Sequence, residues 1–130
     1  MNAPKPVFHK IVPMLPVSDL GATIDYYTEK LGFYDAWTWG EPAVDGGVRR
    51  DHLRLIFGLN PEMAAHTKGM EVMVFVDEPD ALYTEFSAKG VEILSEPEDK
   101  PWGVREFSIR DINGYVLRIG GELAKSADSV

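Results

Sequence analysis

Glu106, Ser108 and Arg110 recur at alternate positions of EFSIRDINGYVLRIGG (residues 106–121), and Arg118 follows beyond the Asn-Gly turn in the same stretch. A carboxylate and a guanidinium on one face of a hairpin can hold each other bidentately, or can meet a charged ligand. Tyr115, Leu117 and Ile119 share the other face with Phe107 and Ile109, as expected for a sheet with one buried side. The chemistry-bearing face therefore looks either at bulk water or into a site. His9, His52 and His66 are the only imidazoles, and cysteine is absent. Thiolate metal centres and disulfides are thereby excluded. His52 sits among Arg49, Arg50 and Asp51 at a turn and His66 lies in a polar connector; both are expected at the solvated surface. No G-x-S-x-G elbow and no phosphate-cradling glycine loop is present.

Three tryptophans are the next candidates. Trp37 and Trp39 alternate on one strand and so share a face; such a stripe is expected in a core more often than on a ligand platform. Trp102, inside KPWGVREF and beside Gly103, is expected at the rim of a pocket.

The elements that must position these residues read as follows. VFHKIVPMLPVSD is β-rich, with Pro13 and Pro16 marking an edge strand or a bulge. Ser18 or Asp19 is expected to cap a helix from Leu20 to about Leu31 that Gly32 ends. FYDAWTW, AVDGGVRR and HLRLIFGL are expected strands, and residues 60–69 form a connector with room for a helical turn. MEVMVFV starts the order again: a helix expected to be capped by Asp77 and stopped by Gly90, then VEILSE, VREFSIRD and YVLRIG as strands. Ala22, Tyr27 and Lys30 fall opposite Ala81, Phe86 and Lys89 at an offset of about 59 residues. The expected fold class is α+β, with two βαβββ modules in tandem at about 7–59 and 70–120, one domain over 1–130, and a frayed tail at 121–130. One helix covers one face of a four-stranded sheet, so the other face must meet a second module or a ligand.

With 130 residues, 45% of them hydrophobic, the chain can bury one good core. No apolar run is long enough for a membrane span, and MNAPKPVFHK lacks the apolar stretch of a signal peptide, so a cytoplasmic address is expected. A net charge of −8 argues against nucleic acid as a partner. It suits a cationic ligand, or simply solubility.

LPVSDLGATIDYYTEKLGF, followed later by VREFSIRDINGYVLRIGG, resembles the vicinal oxygen chelate superfamily of glyoxalases, extradiol dioxygenases and bleomycin-resistance proteins. The resemblance spans about residues 7–120 and rests on a V-x-D-L helix start running to L-G-F and a D-x-x-G turn. It implies half-open barrels, usually completed in a homodimer. In metal-dependent members four positions supply ligands, and here they match Val12, Arg54 or Ile56, Glu71 and Arg118. Val12 offers no donor, and Arg118 sets a permanent positive charge where the cation would sit. The metal site reads as dismantled, with no cofactor expected and with Glu71 and Arg118 paired across the former cup. P-W-G-x-R-E-F is similar to the stretch bordering the drug cleft in bleomycin-resistance proteins. The expected function is metal-free binding of a small molecule, with a cationic, bleomycin-like antibiotic as the candidate. Trp102, Arg118, Glu71, Trp37, Trp39, Glu106 and Arg54 are the expected ligand contacts, and no catalytic residue is assigned. The alternative is a lyase, isomerase or dioxygenase whose ligands are displaced.

Overall fold

A computed structural model describes residues 3–124. In chain order the elements are β1 (Met14–Val17), α1 (Leu20–Glu29), β2 (Tyr34–Trp39), β3 (Asp45–Arg50), β4 (Leu53–Leu59), α2 (Pro61–His66), β5 (Glu71–Phe75), α3 (Pro79–Ala88), β6 (Glu92–Asp99), β7 (Val104–Arg110) and β8 (Val116–Glu122). They build two four-stranded mixed sheets, ordered β1-β4-β3-β2 and β5-β8-β7-β6. In each sheet the first strand pairs in parallel with the last, and the others are antiparallel. This is the tandem βαβββ arrangement, with each sheet half open.

Local chemistry sets the ends. Asp19 caps α1 by accepting from the Ala22 amide at 2.9 Å, and Gly32, at φ +71°, lets the chain turn away after the helix. At α3 the N-cap is Glu78 rather than the expected Asp77, and it makes no side-chain cap. Pro79 takes the first turn, where a missing N–H costs nothing. The connector at 60–69 holds a true helix, capped by Asn60 on the Met63 amide.

Two further expectations need correcting. The first strand is only four residues long. Residues 7–13 precede it without forming a strand, and Val7, Phe8 and Ile11 are exposed, so only the part whose alternate residues Leu15 and Val17 reach the core is fixed. Strands β6 and β8 run further than expected. β6 extends to Asp99 through Pro97 on the sheet edge, beside a register shift. β8 takes in Gly121 and Glu122 from the expected tail, of which residues 125–130 lie outside the described residues.

The two modules share one apolar cluster. Tyr27, Leu31, Leu55 and Phe57 from the first meet Phe86, Phe107, Ile109, Leu117 and Ile119 from the second. Tyr27 stacks edge-on against Phe33 and tilted on Phe57, while Phe107 meets Tyr83 and Phe86 edge-on. Helix α1 packs on the first sheet and α3 on the second. The face of each sheet that carries the hydrophobic alternation is thus buried, and the opposite face of each is open. Among the described residues no helix is long and apolar enough to cross a membrane.

Candidate functional site

The open face of the second sheet carries the charged constellation. In the β7–β8 ladder Ser108 lies opposite Arg118 and Glu106 opposite Gly120. Ser108 is short and Gly120 has no side chain, so the Arg118 guanidinium extends diagonally to Glu106. Arg118 Nε donates to Glu106 Oε2 at 2.7 Å and Nη2 to Oε1 at 3.2 Å, a bidentate fork. Trp102, from the loop before β7, donates its indole N–H to Glu106 Oε1 at 3.3 Å. Glu106 is only 4% exposed, so its carboxylate is desolvated yet met by three donors. The Arg118 hydrogen bonds outweigh burial, with help from Trp102, and hold the Glu106 carboxyl below the usual carboxylate range.

Glu71 reaches the same guanidinium from β5, but at 3.4 Å and on its exposed side. The expected Glu71–Arg118 pair therefore exists as the weaker arm, and Glu106 is the principal partner. The Arg118 guanidinium also lies 5.9 Å from the centre of the Trp102 ring, as does Lys100 Nζ. Trp102 is 58% exposed.

Trp37, Trp39 and Arg54 belong to the other sheet. Trp37 and Trp39 are 43% and 68% exposed, so neither joins the core as their spacing suggested. Gly47 explains Trp37: a Cβ there would lie 2.5 Å from Trp37 Nε1, so the indole lies across the bare backbone of β3. Trp37, Arg54 and Ile56 line a shallow cavity of about 220 Å³ with Lys10, Val12 and Asp35. Asp35 is bound by Arg49 from β3. Within one chain this face and the Arg118 face do not meet.

The metal test follows from these contacts. Of the four positions named from the resemblance, Val12, Arg54 and Ile56 offer no oxygen or imidazole donor, and Glu71 shares with Glu106 a guanidinium in place of a cation. Among the described residues no group of three or more His, Cys, Asp or Glu side chains is placed to hold a metal. The donor set does not fit a divalent ion.

One conspicuous group was not anticipated. Asp111, in the D-x-x-G turn, is buried and accepts from the Tyr27 hydroxyl at 2.6 Å and from the amides of Asn113 and Tyr115. Burial pushes its carboxyl up, although those hydrogen bonds oppose it. Tyr27 is raised well above its ordinary value by the same burial and by Asp111. The Asx-turn signature was visible in the sequence, but the partner in the other module was not.

The comparisons agree with this architecture. TioX from Micromonospora sp. ML1 is 20% identical, with a TM-score of 0.76 over 89% of this chain and 100% of its own. A bleomycin-binding protein from Streptomyces verticillus, solved with copper(II)-bleomycin, is 23% identical, with a TM-score of 0.75 over 93% of this chain and 100% of its own. The bleomycin resistance determinant encoded on transposon Tn5 is 23% identical, with a TM-score of 0.74 over 88% and 98%. At these identities the likeness establishes the fold alone. No functionally curated protein matches the sequence significantly. The family model that matches residues 8–119 takes in both modules, the D-x-x-G turn and Arg118, and on that match the chain belongs to the Glyoxalase/Bleomycin resistance protein/Dioxygenase superfamily.

Proposed function

We propose that this chain binds a small molecule without a metal, in a cleft that two copies of the chain complete. The observation that carries the reading is Arg118 locked between Glu106 and Glu71 under Trp102. A guanidinium stays charged at any physiological pH, and a carboxylate tied to it is a poor base. The arrangement is suited to holding a ligand rather than to moving protons. Structural neighbours described as binding bleomycin make a cationic, bleomycin-like ligand the first candidate.

The second copy is inferred from what one chain leaves open. Trp39, Phe75 and Trp102 are exposed on the sheets and their rims, and Phe8 and Ile11 are exposed ahead of β1. Lys10, Arg49 and Arg54 against Asp35 give the cavity on the first face a net charge of +2, from three cations and one carboxylate. Glu71, Glu98 and Glu106 against Lys100 and Arg118 give the second face −1, from three carboxylates and two cations. Setting the first face of one copy over the second face of its partner joins complementary charges in an isologous dimer.

Titration with bleomycin, followed by tryptophan fluorescence and calorimetry, tests the reading. The expected dissociation constant is about a micromolar or tighter, roughly −8 kcal/mol, and Trp102→Ala should weaken it. Silence at about 100 μM drug would remove this ligand. Elemental analysis showing about one tightly held metal ion per chain would remove the metal-free claim. A monomer in sedimentation at micromolar concentration would remove the shared cleft.

A further inference from the structure

A second cleft lies between the modules, away from the Arg118 face, with a volume of about 440 Å³. Its walls are apolar: Leu53, Val74, Val76, Leu82, Phe86 and Ile119. Its rim is acidic. Asp51, Asp77, Glu78 and Glu85 supply four carboxylates against the single Arg50 guanidinium, a net −3 with His52 neutral. Arg50 is engaged by Glu85 at 2.7 and 3.0 Å and by the Leu31 carbonyl at 2.8 Å. Asp51, Asp77 and Glu78 have no side-chain partner among the described residues, and all three are exposed.

The internal repeat explains why the cleft exists. Tyr115 stands one residue before Val116 on the last strand of the second module, and the register gives Leu53 the same place in the first: Arg54 lies opposite Arg49 as Val116 lies opposite Arg110, and Leu55 opposite Val48 as Leu117 lies opposite Ile109. Tyr115 is fully buried: its hydroxyl reaches the Pro16 carbonyl on β1 at 2.5 Å and lies 2.7 Å from Thr67 Oγ1, just after α2. An aromatic ring and a helix thus close the module junction on that side. On the opposite side the smaller Leu53 is only half-buried and lines the cleft. After β8 the chain runs on toward the Trp102 loop, with the Leu123 amide bonded to the Gly103 carbonyl at 2.9 Å. No counterpart of α2 follows β8 among the described residues.

We propose that this intermodular cleft is a second ligand site, for an arylalkylamine whose ring takes the place that Tyr115 fills in the other half. The apolar walls take the ring, and the ammonium meets the carboxylates at the mouth, where its attraction survives partial desolvation. An anionic analogue of the same shape is repelled by the same rim. The site is independent of the sheet-face cleft proposed above.

Tyramine is the probe, with 4-ethylphenol and 3-(4-hydroxyphenyl)propionate as its neutral and anionic counterparts, each titrated into the full chain by amide NMR. The expected result is a dissociation constant at or below about a millimolar, with shifts at Leu53, Val76 and Leu82 and none at Trp102 or Arg118. The neutral analogue should bind several-fold more weakly and the acid not measurably. Asp77→Asn with Glu78→Gln should weaken tyramine at least about threefold, losing part of the rim attraction. Leu53→Tyr, which sets a ring at the place of Tyr115, should plug the cleft and abolish binding while leaving bleomycin titration unchanged. The proposal fails if tyramine moves no cleft amide, if shifts map only to the sheet faces, or if the acid binds equally well. It also fails if binding emerges only in Phe8→Ser, because the cleft would then belong to the N-terminal segment of a second copy.

Discussion

Helices α1 and α3 are each fastened to a turn of the opposite module, but the two fastenings differ in chemistry. Helix α1 reaches the β7–β8 turn through Tyr27 and Asp111, a buried hydroxyl on a buried carboxylate. Helix α3 is held at the β3–β4 turn through Glu85 and Arg50, a half-exposed ion pair. The buried fastening is surrounded by satisfied donors, and among the described residues no buried side-chain polar atom lacks a partner. The ion pair borders the intermodular cleft. One topology can thus be closed on one side by a low-dielectric network, costly to break, and on the other by a solvent-screened pair, cheap to change.

The largest expected effect tests the buried side. Asp111→Ala strands the Tyr27 hydroxyl and two backbone amides. At about 1–3 kcal/mol for each buried group left unsatisfied, a loss of at least roughly 3 kcal/mol in denaturant unfolding is expected. Tyr27→Phe removes one donor only and should cost about 1–2 kcal/mol. If Asp111→Ala costs no more than a typical surface change, the contrast between the fastenings is wrong.

The Arg118 cluster should fall in between. Arg118→Met leaves Glu106 buried without its fork and should cost about 2–3 kcal/mol, less than a fully buried pair because Arg118 is itself partly exposed. A double-mutant cycle with Glu106→Gln should show coupling well above that with Glu71→Gln, which is expected below about 0.5 kcal/mol. Equal couplings would return Glu71 to first rank.

Arg50→Met with Glu85→Gln should show the smallest coupling, about 0.5–1 kcal/mol, and should shrink as salt rises. A coupling insensitive to salt would mean the ion pair is as shielded as its buried counterpart.

The fastenings should also answer pH in opposite senses. The Glu85 carboxyl is held low by Arg50, as Glu106 is by Arg118. Their stabilisation is present above the ordinary carboxylate range and is lost as pH falls through their depressed values. Asp111 is raised, so its contribution is full below the ordinary aspartate value and is lost as pH rises through its folded value. Asp111→Asn, which keeps an acceptor, should therefore gain on the wild type as pH rises from the ordinary aspartate value through the raised value of Asp111. Parallel stability curves would refute the assignment.

Much of the fold was legible in the chain, because it rests on local rules. Alternation in residues 104–110 and 115–119 assigned the buried faces correctly, since a one-residue slip would have put Phe107 and Leu117 into water. The internal offset and the two motifs pointed to paired βαβββ modules and to the superfamily. Trp37 and Trp39 were misread because spacing encodes a shared face without saying which face is covered. Trp37 stays half exposed on the bare backbone of Gly47, a cross-strand neighbour that periodicity within one strand cannot reveal.

What the sequence by itself determined was the set of elements, their repeat and the face on which each charged residue must stand. These follow from backbone geometry and hydrophobic periods of a few residues. Tertiary structure alone decided the partners. Glu106 outranks Glu71 at Arg118 because the register sets a short Ser108 and a bare Gly120 beside the guanidinium. Tyr27 finds Asp111 across 84 residues because the modules close back to back. Leu53 leaves a cleft where Tyr115 fills one because, among the described residues, only one side of the pseudo-symmetric junction carries a helix to cover it. Such choices depend on distances between segments far apart in the chain, and no local pattern of residues encodes them.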